Sequence, residues 1–563
     1  MATSLPTYTG DTTALVQPTG NAVTDALIVG SKWGVGGAGT GAAVTFSFPA
    51  AVDKFDTREG VAGNYNPTES TQGGYAAYLQ GFAAFGAAEQ AASRQVLASW
   101  AAVANLQFTE VAATTVDAGV LRFGFSGPPG LGATTYGVSA FPQDFAGAGD
   151  TWMNKAFLFP EGWAPGTQNF LTLLHEAGHA IGLKHPHDTG MNGSPGWPAT
   201  PAVLPKTGDD TLTSYSTQNM VMAYNDIPGV GAPLQADFAP TTPMKVDIDA
   251  IQYLYGPNLA HNAGNTVHTY TSTARYNETL WDGGGNDTIV IDGTADAAIN
   301  LAPGSWSRVG LPLTFSNRNP DLSVAAPRPE LTDPLTIYIY DTVLIENAVG
   351  GGGNDILLGN AAGNWLQGGA GNDILDGGLG IDLAVYGAAR AGSTLSATAA
   401  GFTVMSGLDG TDTLANVERL KFADASVALD LSGNAGTVAR ILGAVFGMGG
   451  VADPGYRGIG LHFIDGGMSY ASLMQLAIDA RLGVGASPQA VVDLLYANVV
   501  GYGAVGFVPP PEQTAPFVGM LVRGETTVAG LGMMAANLDL NAGNIDLVGL
   551  AQQGMEYLPY AGG

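Results

Sequence analysis

The chain has 563 residues, enough for roughly three domains and a sizeable buried core. Its 48 acidic and 20 basic side chains give a formal net charge of −28. This charge argues against nucleic acid or an anionic membrane surface as a partner, because both are polyanions. Glycine supplies 82 residues without a collagen period, which predicts a glycine-rich repeat, and the absence of cysteine excludes disulfides.

The first 23 residues are rich in Thr, Pro and Gly, which predicts a tail that is either a short pro-segment or disordered. They lack a basic region followed by an apolar one, so we expect no Sec signal peptide. No transmembrane segment is expected either, because the long uncharged stretches of the chain are interrupted by glycine and proline.

Strands and helices are predicted ahead of residue 168. Alternating or apolar runs predict strands at 44–48, 106–111 and 119–125, and a helical period predicts a helix over 87–104. Residues 136–141 are expected at a sheet edge, where an extended peptide could add as a further strand.

An apolar helix over residues 168–183 carries the central motif of the chain, HEAGHAIGLKH. His175 and His179 are four residues apart and therefore lie one above the other on a helix, so both imidazoles can reach one ion. Gly182 can turn the chain so that His185 returns as a third ligand. Three nitrogens with an open fourth position are typical of a catalytic zinc site.

Glu176 is predicted to lie beside the metal rather than on it, since it is about 100° round the helix from His175. Zinc lowers the pKa of its bound water from ~15.7 to ~7, and Glu176 is then placed to take the proton as general base. The alternative is a buried helix that happens to carry histidines. His187 is off the motif and is expected to be a solvated loop residue.

This motif resembles that of the metzincin zinc proteases, and within them the serralysin family. Metzincins also have a methionine turn beneath the zinc, and Met222 in VMAY, about 37 residues after His185, matches it. The resemblance implies that Tyr224 stabilises the oxyanion. Ala223 stands where the family usually has serine. Residues 244–256 resemble the helix that closes the serralysin catalytic domain.

Four nonapeptides follow one another from Gly350: GGGGNDILL, GNAAGNWLQ, GGAGNDILD and GGLGIDLAV. Six residues of each are expected to form a calcium-binding turn and three a short strand with an inward apolar residue. Two nonapeptides complete one coil, so the sixth positions stack in pairs eighteen apart, Asp355 with Asp373 and Asn364 with Asp382. Asn364 departs from aspartate, which predicts a weaker site. A flexible linker would not keep a period of nine with apolar eighth positions.

These repeats resemble the repeats-in-toxin β-roll that follows the protease domain in serralysins, and isolated copies of the repeat occur at 282–289 and 407–414. Oxygen ligands are what calcium requires, and the turns supply carboxylates and backbone carbonyls. The candidate calcium ligands are Asp282, Asp287, Gly350, Gly352, Asp355, Gly359, Asn364, Gly368, Ala370, Asp373, Gly377, Asp382, Asp409 and Asp412.

Helical periods return beyond the repeats, over 437–446, 470–482 and 487–499. This tail resembles a helical domain of unknown function behind calcium repeats in secreted bacterial proteins. Its role is open between partner binding, surface attachment and carriage of a secretion signal.

The sequence therefore predicts an α+β metzincin-like catalytic domain, an all-β parallel β-roll and a small α-helical C-terminal domain. Their predicted bounds are 24–256, 257–430 and 431–563. The predicted function is a secreted, extracellular bacterial zinc endopeptidase that acts on peptide or protein substrates, is stabilised by calcium and is exported by type I secretion machinery. The alternatives are a calcium-dependent adhesion protein with a vestigial protease domain, and a zinc hydrolase acting on something other than peptide.

Overall fold

The computed structural model describes most of the chain. The described residues are 13–57, 64–66, 75–114, 118–128, 130–132, 135–188, 219–223, 235–316, 331–407, 409–502 and 506–560.

Helices and strands alternate along the first half of the chain. The stretch through the motif contains β1 (Thr13–Leu15), α1 (Ala22–Leu27), β2 (Ser31–Trp33), β3 (Ala42–Ser47), α2 (Ala76–Leu79), α3 (Ala87–Val103), β4 (Leu106–Glu110), β5 (Leu121–Ser126), β6 (Gly137–Ser139), β7 (Thr151–Asn154), α4 (Gln168–Ala180), β8 (Gln235–Ala236) and α5 (Lys245–Tyr255). The next stretch contains β9 (Val267–Thr271), β10 (Glu278–Leu280), β11 (Thr288–Asp292), β12 (Ala298–Asn300), β13 (Trp306–Ser307), β14 (Leu313–Ser316), β15 (Leu331–Asp333) and β16 (Ile337–Ile339).

The repeats and the strands after them form β17 (Asn347–Val349), β18 (Ile356–Leu358), β19 (Trp365–Gln367), β20 (Ile374–Asp376), β21 (Leu383–Val385), β22 (Ser393–Thr398), β23 (Gly401–Ser406), β24 (Gly410–Ala415), β25 (Arg419–Lys421) and β26 (Ser426–Ala428). The last stretch contains α6 (Asn434–Ala452), α7 (Pro454–Asp465), α8 (Tyr470–Leu482), α9 (Pro488–Val499), α10 (Pro511–Val522), α11 (Val528–Ala536), α12 (Asp539–Asn544), α13 (Leu547–Gln553) and β27 (Met555–Tyr557).

The chain divides into two compact units whose borders differ from the predicted domains. The first unit contains Met1–Thr266, Thr273–Asn286 and Pro303–Leu344, and the second contains the remainder. Segment 303–344 belongs to the first unit because β16 pairs with β10 and β14 pairs with β8. The C-terminal helices share the second unit with the repeats, where β27 pairs with β26.

A five-stranded sheet of order β4-β3-β5-β7-β6 positions the central motif in the first unit. Its strands are parallel except for β6, which is antiparallel and lies at the edge. The predicted strands and the helix over 87–104 are confirmed within a few residues.

The motif helix α4 begins where the Thr167 hydroxyl accepts a hydrogen bond from Phe170 N at 3.3 Å. Its apolar face, which includes Phe170, Leu173 and Leu174, is fully buried. The helix ends at Ala180, three residues before the predicted end. Gly182 has a φ of +113°, and a Cβ there would lie 2.7 Å from the Ser31 carbonyl oxygen, so glycine is required for this turn.

The second unit contains two parallel stacks of short strands, as the predicted β-roll requires. One stack runs β9-β11-β17-β19-β21-β25 and the other β12-β18-β20-β24. Partners along a stack are eighteen residues apart within the regular repeats, for example Leu357 with Leu375. The eighth positions Leu357, Leu366, Leu375 and Ala384 are completely buried. The coil of two nonapeptides is therefore confirmed.

Helices α6 to α11 and α13 contribute side chains to a common apolar core in the second unit. The predicted helices at 437–446, 470–482 and 487–499 correspond to α6, α8 and α9. Among the described helices, α6 is long and apolar enough to cross a membrane by length and composition, yet 67% of its most apolar window is buried inside the unit. That burial is typical of the core helix of a globular domain.

Candidate metal centres

Three imidazoles of the motif converge on one point in the first unit. His175 and His179 project from the same side of α4, and His185 follows the turn at Gly182. The Nε2 atom of His185 lies 3.0 Å from Nε2 of His175 and 3.0 Å from Nε2 of His179. The structure thus brings together the three histidines that the sequence singled out.

The opposite ring nitrogen of each histidine is held by a hydrogen-bond acceptor. The Nδ1–H groups of His175 and His179 donate to the carbonyl oxygens of Val221 and Leu183, at 2.8 and 2.7 Å. With Nδ1 protonated, each Nε2 presents a lone pair to the shared point. Lone pairs at this spacing repel one another, and a cation between them removes the repulsion. The donor set therefore fits a metal ion such as zinc.

The third histidine is held by a carboxylate that the sequence did not identify. His185 Nδ1 donates to Asp188 Oδ2 at 2.8 Å. The ring of His187 lies parallel to that of His185, with centroids 5.2 Å apart. Since His185 lies beyond the helix, these contacts orient a ligand that α4 itself does not fix. The sequence signal that could have identified Asp188 is its position three residues after His185.

Burial keeps the two helical histidines neutral. Desolvation, and next to it the neighbouring His185, lowers the pKa of His175 to about 3. Desolvation also lowers the pKa of His179 well below its usual value. Neutral imidazole is the form that binds a metal, so His175 and His179 can bind a cation without first losing a proton.

Glu176 lies beside the histidine cluster, against the edge strand β6. A Cβ at Gly137 of this strand would lie 2.8 Å from Glu176 Cγ, so glycine there makes room for the carboxylate. Oε2 of Glu176 is buried and has no hydrogen-bond partner among the described residues. Burial raises the pKa of Glu176 to about 8, partly opposed by a hydrogen bond from Ser139. A nearby cation would lower it again by favouring the carboxylate.

Met222 lies under the motif helix, where its Sδ atom would be 2.6 Å from a Cβ placed on Gly178. The turn that carries it is held by the buried Asp247 of α5, whose carboxylate accepts from Val221 N at 2.6 Å and Met244 N at 2.9 Å. Because Val221 O accepts from His175, Asp247 supports a candidate ligand through the backbone of one residue. No pattern in the sequence marks Asp247 for this role, and Tyr224 lies outside the described residues.

A ladder of acidic side chains runs along each strand stack of the roll. Asp355 N donates to Asp373 Oδ1 and Asn364 N donates to Asp382 Oδ1, both at 2.7 Å. These contacts confirm the predicted stacking eighteen residues apart. The ladder continues beyond the four consecutive repeats, because Asp373 N donates to Asp412 Oδ1 and Asp382 N donates to Glu418 Oε2, both at 2.9 Å.

Two carboxylate oxygens of the ladder fit a cation. Oδ2 of Asp373 and Oδ2 of Asp382 are buried and have no hydrogen-bond partner among the described residues. Burial, with like charges nearby, raises the pKa of both carboxyls to about 6. A buried carboxylate oxygen without a donor is costly unless a cation binds it, and calcium takes such oxygens as ligands.

The other candidate calcium ligands occupy several environments. Asp282 belongs to the first unit and accepts from Gly284 N, whereas Asp287 belongs to the second and its N–H donates to Glu346. Asp409 accepts from the Ser406 hydroxyl between β23 and β24, and its charge is one of those that raise the pKa of Asp373. Glycines at the first position of each repeat allow the turns to stack closely, since a Cβ would come within 2.2 Å of another atom in each case: Gly350, Gly359, Gly368 and Gly377. Gly352 and Ala370 occupy the third positions.

Comparison with known proteins found one matching family model and several similar metalloproteases. A family model described as RTX calcium-binding nonapeptide repeat matches four copies, within residues 273–290 and 349–384. The chain is 32% identical to a protein named metalloprotease AprA of Pseudomonas entomophila, over 52% of this chain and 57% of that protein. It is 31% identical to serralysin of Proteus mirabilis, over 58% and 61% of the two chains. Serralysin C of Dickeya chrysanthemi is 33% identical over 49% and 55%.

The chain thus spans little more than half the length of the curated relatives it matches. Within that span, the comparisons confirm the resemblance to the serralysin family and the calcium-binding character of the repeats.

Proposed function

We propose that this chain is a secreted zinc-dependent endopeptidase of the serralysin family, with a metzincin-like catalytic site in the first unit and calcium sites in the second. The observation that carries the proposal is the convergence of three Nε2 atoms beside the buried carboxylate of Glu176. Similarity to proteins named serralysin supports it. The intact general base disfavours a vestigial protease.

His175, His179 and His185 would hold the zinc. Bound there, zinc would supply a Lewis acid and lower the pKa of a coordinated water to ~7. Glu176 accepts a proton from the attacking water at its carboxylate as the new C–O bond forms at the scissile carbonyl. Glu176 then gives that proton to the amine nitrogen as the C–N bond breaks. Tyr224 is proposed, from the family resemblance, to stabilise the developing oxyanion.

Peptide is the favoured substrate class because of β6. This strand lies at the edge of its sheet, and a Cβ placed on its Gly137 would lie 2.8 Å from Glu176 Cγ. An extended peptide that pairs with β6 would therefore pass next to the general base. Binding of this kind uses backbone groups, which suits an endopeptidase acting on unfolded chains.

Proteolysis of a denatured protein by the purified chain tests the proposal. We expect cleavage in the zinc-loaded, calcium-loaded chain, loss of cleavage with o-phenanthroline, and recovery when zinc is added back. Cleavage that persists after the zinc has been removed and shown to be absent would contradict the zinc assignment.

Export by a type I system, through a signal near the C-terminus, is also proposed. Export that is unchanged after deletion of the C-terminal helices would contradict it.

Asp188→Ala is expected to weaken zinc binding about 10–100-fold, the usual effect of removing a carboxylate that orients a histidine ligand. The reason is the loss of the 2.8 Å contact that fixes the His185 ring. Competition with a chromophoric zinc chelator measures the affinity without any assay of activity. Asp144→Ala, at an exposed position of the same unit, serves as the control. Equal zinc affinity in Asp188→Ala and the control would show that Asp188 does not position the ligand.

A further inference from the structure

The repeat turn over 359–364 is built differently from the two turns that follow it. Turns 368–373 and 377–382 have left-handed glycines at their second and fourth positions, with φ of +102° and +129° in the first turn and +91° and +130° in the second. The turn over 359–364 has Asn360 and Ala362 at these positions, and neither has positive φ. Gly351 and Gly353 of the turn over 350–355 also lack positive φ, so the turn over 359–364 is set apart by the side chains that it carries at these positions.

Side-chain amides close this turn. Oδ1 of Asn364 accepts from Asn360 N at 2.7 Å, and Nδ2 of Asn364 donates to Glu346 O at 2.9 Å. Nδ2 of Asn360 donates to Leu301 O at 3.0 Å and Ile345 O at 2.7 Å. The backbone partners fix the orientation of both amides, since an N–H needs an acceptor and a carbonyl needs a donor.

The amide network engages the side-chain oxygens that this turn could offer to a cation. Oδ1 of Asn360 accepts from Ala362 N at 2.9 Å, so the amide oxygens of both asparagines are engaged. The carbonyl oxygens of Leu301, Ile345 and Glu346 are engaged by amide N–H groups. By contrast, Asp373 and Asp382 each keep a buried carboxylate oxygen without a hydrogen-bond partner among the described residues.

We propose that Asn360 and Asn364 form an amide lock, which replaces calcium in the turn over 359–364 and leaves that turn metal-free. The predicted role of Asn364 as a calcium ligand is thereby revised. Its Oδ1 already accepts from Asn360 N, and its Nδ2 donates to Glu346 O. The lock joins this turn to residues 301 and 345–346, so these parts of the roll stay together without calcium. The inference rests on the proposed binding of calcium by the other turns.

Counting the calcium ions that stay bound to the purified full-length chain tests the lock. We expect Asn364→Ala to bind as many ions as the wild type, and to melt at a lower temperature in calcium-free buffer because the amide contacts are lost. Asp373→Ala is the matched control and is expected to bind fewer ions. Loss of an ion from Asn364→Ala would overturn the proposal.

Restoring the consensus provides a second test that does not depend on the folding of Asn364→Ala. The triple variant Asn360→Gly, Ala362→Gly, Asn364→Asp is expected to bind one calcium more than the wild type and to lose calcium-free stability. An unchanged count in this variant would overturn the lock, since the wild-type turn would then already hold an ion. A wild-type chain that binds no calcium would overturn calcium binding by the roll itself, and the lock with it.

Discussion

Glu176→Gln is expected to lower kcat/KM for peptide hydrolysis about 10²–10⁴-fold, the range for loss of a positioned general base. The amide is nearly isosteric with the carboxylate, so it fits the space left by Gly137, but it cannot accept the proton of the attacking water. The three histidines keep their Nδ1 partners, none of which involves Glu176. We therefore expect the zinc content and the melting temperature to stay at wild-type values while cleavage of a fluorogenic peptide is lost.

The control for this change is Glu512→Gln, which removes a carboxylate from an exposed position on α10. It alters the net charge equally and should leave hydrolysis unchanged. A Glu176→Gln chain that bound zinc normally and cleaved peptide at the wild-type rate would contradict the role of Glu176. A variant that lost both zinc and activity would instead show that Glu176 holds the metal site together.

Local sequence predicted the parts of the candidate zinc site that lie within one helix and the turn after it. The spacing of His175 and His179 follows directly from helix geometry, and Gly182 marked the turn. Asp188 and Asp247 were missed. Asp188 lies only three residues after His185, and this spacing could have identified it. Asp247 acts through a contact with Val221 that forms only in the folded chain, and its sequence carries no sign of that partner.

In the repeats, too, the local sequence pattern predicted some contacts, whereas others depend on strands that are distant in sequence. Period nine predicted the stacking of Asp355 on Asp373, because every coil repeats the same local geometry. Glu418 continues the ladder although its own sequence has left the repeat, since the strand pairing of β25 with β21 places it there. The inclusion of segment 303–344 in the first unit has no local sign in the sequence, because it depends on the pairing of β10 with β16 across a long intervening segment.

The acidic ladder makes the stability of the roll depend on bound calcium and, without calcium, on pH. Without calcium, Asp373 is a buried carboxyl with Asp355 and Asp409 nearby, and its pKa is raised from the ordinary 3.8 to about 6. A raised carboxyl pKa means that the folded chain binds more protons than the unfolded chain between these values. The calcium-free unit should therefore lose stability as the pH rises from about 4 to about 6.

Asp373→Asn is expected to lower the free energy of unfolding in calcium but not in EGTA. In saturating calcium the variant loses a ligand, and one site occupied at a hundredfold excess over its Kd is worth about 2.7 kcal/mol. In EGTA the same change removes a buried charge while the amide oxygen can still accept from Asp355 N, so the free energy of unfolding should be unchanged or higher.

Urea unfolding in both buffers measures the two effects, with Asp292→Asn, an exposed position on β11, as the control. Equal destabilisation in calcium and in EGTA would mean that Asp373 supports the roll through packing alone. The two buffers are expected to differ because Asp373 Oδ2 has no hydrogen-bond donor among the described residues, so a bound ion is what offsets the cost of burying that charge.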